Sequence, residues 1–226
     1  MERNDLRRVY EEDLANLHVH FSEMGMMVNE AVYKSVKAFT NHDKELAQQV
    51  IDNDIMINAR ETELEKKCFE LIALQQPVTS DLRKIVTVMK ASADLERMGD
   101  HAVSVAKAAI RVKGTKRVPK IEADIAELSE KVKVMVEGVL EAYIKEDANK
   151  AKNLSTAIND IDHEFYGIYQ QCIDEMKADP ELILGATDYM LAARYLKRIG
   201  DYVTNICEWI VYLKTGKVVE LNTSKG

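Results

Sequence analysis

Two carboxylates stand one helical turn apart in the stretch DLERMGDHAVSVAK, Asp94 to Lys107: Glu96 and Asp100. On a helix their Cβ atoms would lie about 6 Å apart on one face, and like charges at that spacing cost a few tenths of a kcal/mol. A neighbouring guanidinium, Arg97, can share the charge. A hard cation would do so better, because carboxylate oxygens suit Mg, Ca, Mn and also iron. Near the other end the chain repeats the pattern in YLKRIGDYVTNICE, Tyr195 to Glu208. Both stretches read L-[EK]-R-[MI]-G-D, and Asp100 and Asp201 stand 101 residues apart. In the second copy Lys197, Asp201, Asn205 and Glu208 hold the corresponding face, with Lys197 in the place of Glu96 and Arg198 one step round. Gly99 and Gly200 are costly mid-helix residues, at roughly 1 kcal/mol relative to Ala. Their recurrence points to the close approach of a neighbouring helix or a ligand. From the residues alone, a solvated acidic face and a metal or anion site both remain open.

The elements that must position these side chains are long helices. Leu17, Phe21, Met24, Val28, Ala31, Ser35 and Ala38 step by fours and threes, and so do Ile121, Ile125, Leu128, Val132, Met135, Val139 and Ala142. That is the seam of helices packed nearly antiparallel in a bundle. A second matched pair runs from Asp43 to Leu74 and from Asp147 to Lys177. Each opens on an Asp suited to cap a helix and each contains N-D-I, at 53–55 and 159–161. A third pair follows Pro77 and Pro180, with Thr79 or Ser80, and Asp179, as cap candidates. These helices end near Gly114 and Gly216, as C-terminal glycines do. Their seams are Leu95, Met98, Ala102, Val105, Ala109 and Leu196, Ile199, Val203, Ile206, Ile210. At about 100° per residue, Glu96 and Asp100 fall on the side away from Met98 and its seam. The expectation is an all-α chain of six long helices: two tandem, pseudo-symmetric, spectrin-repeat-like three-helix bundles, residues 1–114 and 115–226, from an internal duplication.

Composition narrows the function. The 226 residues carry a net charge of −7 and a pI near 5.4, which suits cation binding and argues against nucleic acid. No apolar run approaches the ~20 residues of a membrane span. The charged start MERNDLRRVYEEDL is neither a secretory signal nor a transit peptide. Cys68, Cys172 and Cys207 stand far apart, which points to buried thiols in a reducing, cytoplasmic setting. No Glu-x-x-His, P-loop or G-x-S-x-G occurs, which speaks against a ferritin-type di-iron core and against those nucleotide and esterase sites. Asp160-x-x-His163 is half a metal pair at most. Asp52, Asp54, Glu61 and Glu65 read as an acidic, solvated face of the second helix.

The paired signatures, together with QQPVTSDLRKIVTVMKASADLERMGDHA, Gln75 to Ala102, resemble those of the PhoU family over nearly the whole chain. The resemblance implies two three-helix bundles in a cytoplasmic, often dimeric regulator that is no enzyme. It implies action with the ATPase of a phosphate ABC transporter (PstB-like) and a PhoR-like sensor histidine kinase, holding the phosphate-starvation (Pho) response off when phosphate is plentiful. It also implies a metal, whether Fe, Mn, Mg, Zn or Ca, on an E/D-x-x-x-D motif in each half. Carried over by position, the ligands are Glu96 and Asp100, then Asp201 with Asn205 and Glu208, while Arg97 and Arg198 flank them. Lys197 breaks the second motif, so fewer metals are expected. The rival readings are a metal-dependent hydrolase using the acidic stripe and a metal-free helical scaffold.

Overall fold

A computed structural model describes residues 3–112 and 116–221. Its helices are α1 (Arg3–Asn41), α2 (Lys44–Gln75), α3 (Thr79–Arg111), α4 (Pro119–Ile144), α5 (Ala148–Ser155), α6 (Ile158–Ala178) and α7 (Ile183–Thr215), with a 3-10 turn at Pro180–Leu182. The seams are the core. Every residue of the α3, α4 and α7 seams is buried, and in the α1 seam only Ala31 is less than fully buried. Three hairpins close on residues in the left-handed region, His42 (φ 53°), Gln76 (φ 46°) and Glu146 (φ 48°).

Local chemistry sets the helix ends. Asp43 caps α2 by accepting the Leu46 N–H at 2.9 Å, and Asp147 caps α5 through the N–H groups of Asn149 and Lys150. Gly216, at φ 70°, ends α7, while Gly114 lies outside the described residues. Thr79 and Ser80 are not caps: the N-cap of α3 is Val78, with no side-chain bond. Asp179 caps the 3-10 turn instead, through the Glu181 N–H. The run from Asp147 to Lys177 is also not one helix. It breaks at Thr156–Ala157, where the Ser155 and Thr156 hydroxyls donate to the carbonyls of Lys152 and Asn153, three residues back. The Thr156 and Ala157 N–H groups turn to carbonyls three back as well, which tightens the helix until it stops.

The two sets of helices share a long seam. α3 and α7 run antiparallel, with Asn205 3.4 Å from Asp94, His101 stacked on Tyr195 and Tyr202, and Arg111 2.9 Å from Asp188. Trp209 packs against this seam, edge-to-face with Tyr212 at 6.0 Å. All three cysteines are free and buried, and burial pushes each thiol up to about 12. Among the described residues no helix is long and apolar enough to cross a membrane.

Candidate cation site and its twin

The glycine of the first motif marks where α2 rests on α3. A Cβ on Gly99 would stand 3.3 Å from Ile57 Cδ1 and 3.4 Å from Asp54 Oδ1. Glycine therefore lets α2 bring Asp54 directly against the motif. Asp54, Glu61, Glu96 and Asp100 then share one electrostatic field. Burial raises the Glu96 carboxyl above its usual range, and Asp100, Glu61 and Asp54 raise it further against Arg97. Burial, then Asp100, likewise raise Asp54, with Asn58 and Lys107 opposing. Burial and Glu65 raise Glu61.

Two oxygens in this cluster lack partners. Asp54 Oδ2 accepts from Asn58 Nδ2 at 3.1 Å, but Asp54 Oδ1 and Asn58 Oδ1 are buried with no hydrogen-bond donor. Buried acceptors are ordinarily satisfied, so an incoming cation would find ready oxygens and would quench the carboxylate repulsion. As they stand, no three His, Cys, Asp or Glu side chains among the described residues are grouped to hold a metal ion. The cluster is an acidic rim with orphaned oxygens.

The second copy is built from different chemistry. A Cβ on Gly200 would meet Ile158 Cδ1 at 2.9 Å and Ile161 Cγ2 at 3.6 Å. Ile158 thus stands where the first half has Asp54, and Ile161 where it has Ile57, an offset of 104 residues. Carried along the helix, this register sets Asp162 against Asn58, Phe165 against Glu61 and Tyr169 against Glu65. The repeated N-D-I, with its offset of 106, is not the structural correspondence. Lys197 Nζ sits between Asp162 (2.9 Å) and Asp201 (3.1 Å). Burial pulls the ammonium pKa down, but the hydrogen bonds with Asp162 and Asp201 hold it above the usual lysine range. A protein cation stands where a metal would.

The other sequence-selected residues are engaged elsewhere. Asn205 donates to Asp94 Oδ1, and Glu208 accepts the Leu221 N–H at 2.8 Å. Arg97 reaches Asp94 at 3.4 Å and lies over the Tyr202 ring; Arg198 pairs with Asp201 at 3.6 Å. Asp52 accepts from Gln48, and His163 is exposed. Asp54 and Glu61, read as a solvated face, instead lie against the motif. Asn58, Asp94 and Asp162 join the site with a single sequence signal, their place beside the buried Ile57, Leu95 and Ile161.

The two motifs meet in mid-molecule. His101 stacks between Tyr195 and Tyr202, each 5.6 Å away between ring centroids. Burial lowers its pKa and Arg198 lowers it further, against Asp100 and Asp201. A histidine depressed when folded contributes stability that is complete above its unfolded pKa of about 6.5 and is lost as pH falls below it. Urea unfolding at pH 7.5 and 5.5 checks this. His101→Phe should lose less stability across that interval than the parent chain, and the difference between the two isolates this histidine from the carboxylates, whose raised pKa values act in the opposite sense.

The PhoU domain family matches residues 21–109 and 125–210. The chain is 37% identical over 217 residues to the phosphate-specific transport system accessory protein PhoU homolog of Clostridium acetobutylicum, covering 96% of this chain and 99% of that one. It is 35% identical to the homolog of the same description from Streptococcus pneumoniae, with 96% and 100% covered. The crystal structure of the phosphate transport system regulatory protein PhoU from Streptococcus pneumoniae superposes with a TM-score of 0.88 at 33% identity, over 93% of this chain and 99% of that one. That of PhoU from Pseudomonas aeruginosa gives 0.88 at 32% identity, with 92% and 100% covered.

Proposed function

The chain belongs to the PhoU family, and from that premise we propose that it is an accessory regulator of phosphate transport. It represses the phosphate-starvation response when phosphate is plentiful, acting between the ATPase of the phosphate ABC transporter and a PhoR-like sensor kinase. The observation that carries the reading is the double family match, with relatives aligned along almost their full lengths that bear the phosphate-transport accessory name. Regulation by such an adaptor needs no covalent chemistry. It needs unequal contacts with two states of a partner. The duplication into residues 1–114 and 115–226, a cytoplasmic location and self-association into a homodimer belong to the same proposal.

The metal part of the proposal is confined to the first half. Asp54, Glu61, Glu96 and Asp100 would hold a divalent cation, since two of the oxygens there are orphaned and the carboxyls repel one another. The cation would supply charge neutralisation and a fixed arrangement of α2 against α3. In the second half the residues do not fit, because the Lys197 ammonium is already ion-paired with Asp162 and Asp201 and would repel a metal cation. The hydrolase reading gains no support from the cysteines, the strongest nucleophiles in the chain, which are buried as thiols.

The test is alkaline phosphatase activity in phosphate-rich medium, in a strain lacking its own PhoU protein, with and without this gene. Repression of the enzyme when the gene is present is the expected result. Unchanged high activity in the native organism, with the protein soluble and folded, would contradict the regulatory reading.

A further inference from the structure

Where the first half sets Glu61, Glu65 and Glu96 round its motif, the second sets Phe165, Tyr169 and Lys197. Beyond them α6 and α7 part into an open groove of 730 Å³, whose walls include Phe165, Tyr169, Met190, Leu191, Arg194 and Arg198. Its apolar character continues past the groove end to Leu184, which is 73% exposed. Leu184, Leu191, Arg194 and Arg198 recur at helical spacing along one side of α7. From Leu184 to Arg198 the track runs fourteen residues, or about 21 Å, close to four helical turns.

One of the two charges along this track lacks an internal partner. Arg194 and Arg198 are one turn apart, a spacing at which like charges repel. Arg198 has Asp201 at 3.6 Å, whereas exposed Arg194 has no ion pair or hydrogen bond among the described residues. In a chain of net charge −7, a basic rim above an aromatic and methionine-lined floor is an exception. It calls for an acidic partner with an apolar face.

We propose that the α6–α7 groove receives an amphipathic helix of a protein partner. Its apolar face would lie on Tyr169, Met190 and Leu191, over the buried Phe165, and its edge carboxylates would meet Arg194 and Arg198. The shape favours a helix, because the groove is open along its length between two helical walls, which is the geometry of helix-in-groove recognition. Met190 adds a side chain that adapts to such a face. The duplication thus yields two unlike surfaces at one register, an acidic one for a cation and a basic one for an acidic helix. The inference rests on the regulatory reading, for which it names the contact surface.

The experiment places photoreactive p-benzoylphenylalanine at position 191 of the full chain and irradiates cells in phosphate-rich medium. The attached peptide is sequenced, synthesised and titrated against the purified protein. A segment with apolar residues at three- and four-residue spacing and Asp or Glu along one edge is expected. Its affinity should fall at least about tenfold in Arg194→Glu and weaken with salt, as a charge-steered contact does. Leu191→Lys should weaken it as well, with folding of both variants verified by thermal melting. No adduct, a segment without that pattern, or an affinity indifferent to Arg194→Glu would overturn the proposal. So would a thermal shift by AMP or ATP that Arg194→Glu abolishes, which would make the occupant a nucleotide with its base stacked on Tyr169. The reporter strain separates the two ideas. If the parent chain represses and Arg194→Glu represses equally, the groove is wrong and the regulatory reading stands. If the parent chain fails to repress while the mapped peptide still binds through Arg194, the regulatory reading fails alone.

Discussion

Glu122→Ala should cost about 2–4 kcal/mol of stability, because it leaves the buried Tyr189 hydroxyl and the largely buried His42 ring without their shared carboxylate and breaks the ion pair with the half-exposed Arg117. Glu122 is only 6% exposed. Its Oε1 accepts from the Tyr189 hydroxyl at 2.7 Å and from Arg117 Nε at 3.1 Å, and lies 3.1 Å from His42 Nε2. Tyr189, which is fully buried, also accepts the Val118 N–H at 3.2 Å. One carboxylate therefore ties together the α1–α2 turn, the connection between the halves, the start of α4 and the second turn of α7. Burial alone would raise this carboxyl, but the bonds from Arg117 and Tyr189 outweigh it and hold the pKa below the usual range. The sign follows from that depression. The contribution is present above the unfolded pKa of about 4.3 and is lost as pH falls through the lower folded value. Urea unfolding at pH 7 measures the effect, and Glu122→Gln, which keeps an acceptor for Tyr189, should lose less. A change under ~0.5 kcal/mol for Glu122→Ala, the range of an ordinary surface substitution, would mean that the network does not clamp the halves.

Lys197→Glu should destabilise the second half by about 2–3 kcal/mol in the absence of divalent cations, toward the low end for a broken buried pair because the site keeps some solvent contact. The ammonium and both partner carboxylates are 20–26% exposed. The substitution removes both ion pairs and brings a third carboxylate beside Asp162 and Asp201. It also writes E-x-x-x-D into the second motif. Divalent cation should therefore restore stability to Lys197→Glu in excess of its effect on the parent chain. Thermal melting with chelator and with millimolar Mn or Mg checks both parts. A variant as stable as the parent in chelator would show that the Lys197 pairs contribute little, as exposed pairs often do.

The periodic features of this fold were legible in the sequence. The seams of α1, α3, α4 and α7 were found because burying an amphipathic face imposes a repeat that survives in residue order. Asp43 and Asp147 were readable as caps for the same reason, since capping is local. The break at Thr156–Ala157 has no signature in residue order, because two adjacent hydroxyls that fold back on carbonyls leave the apolar pattern uninterrupted. The N-D-I repeat misled because identical letters at offset 106 outranked the true packing register at offset 104, which only the glycine contacts reveal.

The site was legible in part. Glu96 and Asp100 announced themselves by spacing, and Lys197 by departure from its twin. Asp54 and Glu61 read as a solvated face in residue order, since nothing within α2 shows that Gly99 of α3 lets Asp54 approach the motif. Asn205 and Glu208 share a face with Asp201 in sequence, yet Asn205 is bound to Asp94 and Glu208 to the C-terminal segment. The Glu122 cluster draws on residues 42, 117, 122 and 189, and no local pattern joins them.

In the proposed reading one duplicated motif would hold a cation in the first half and Lys197 would exclude it from the second. The most direct test is thermal stabilisation of the chelator-treated, tag-free chain by titrated Mn and Mg, in the parent and in Glu96→Gln, Asp100→Asn and Asp201→Asn. Saturable stabilisation is expected in the parent, lost in Glu96→Gln and in Asp100→Asn and kept in Asp201→Asn. Stabilisation that survives both first-half substitutions and vanishes with Asp201→Asn would contradict it, and so would a parent chain that no divalent cation stabilises.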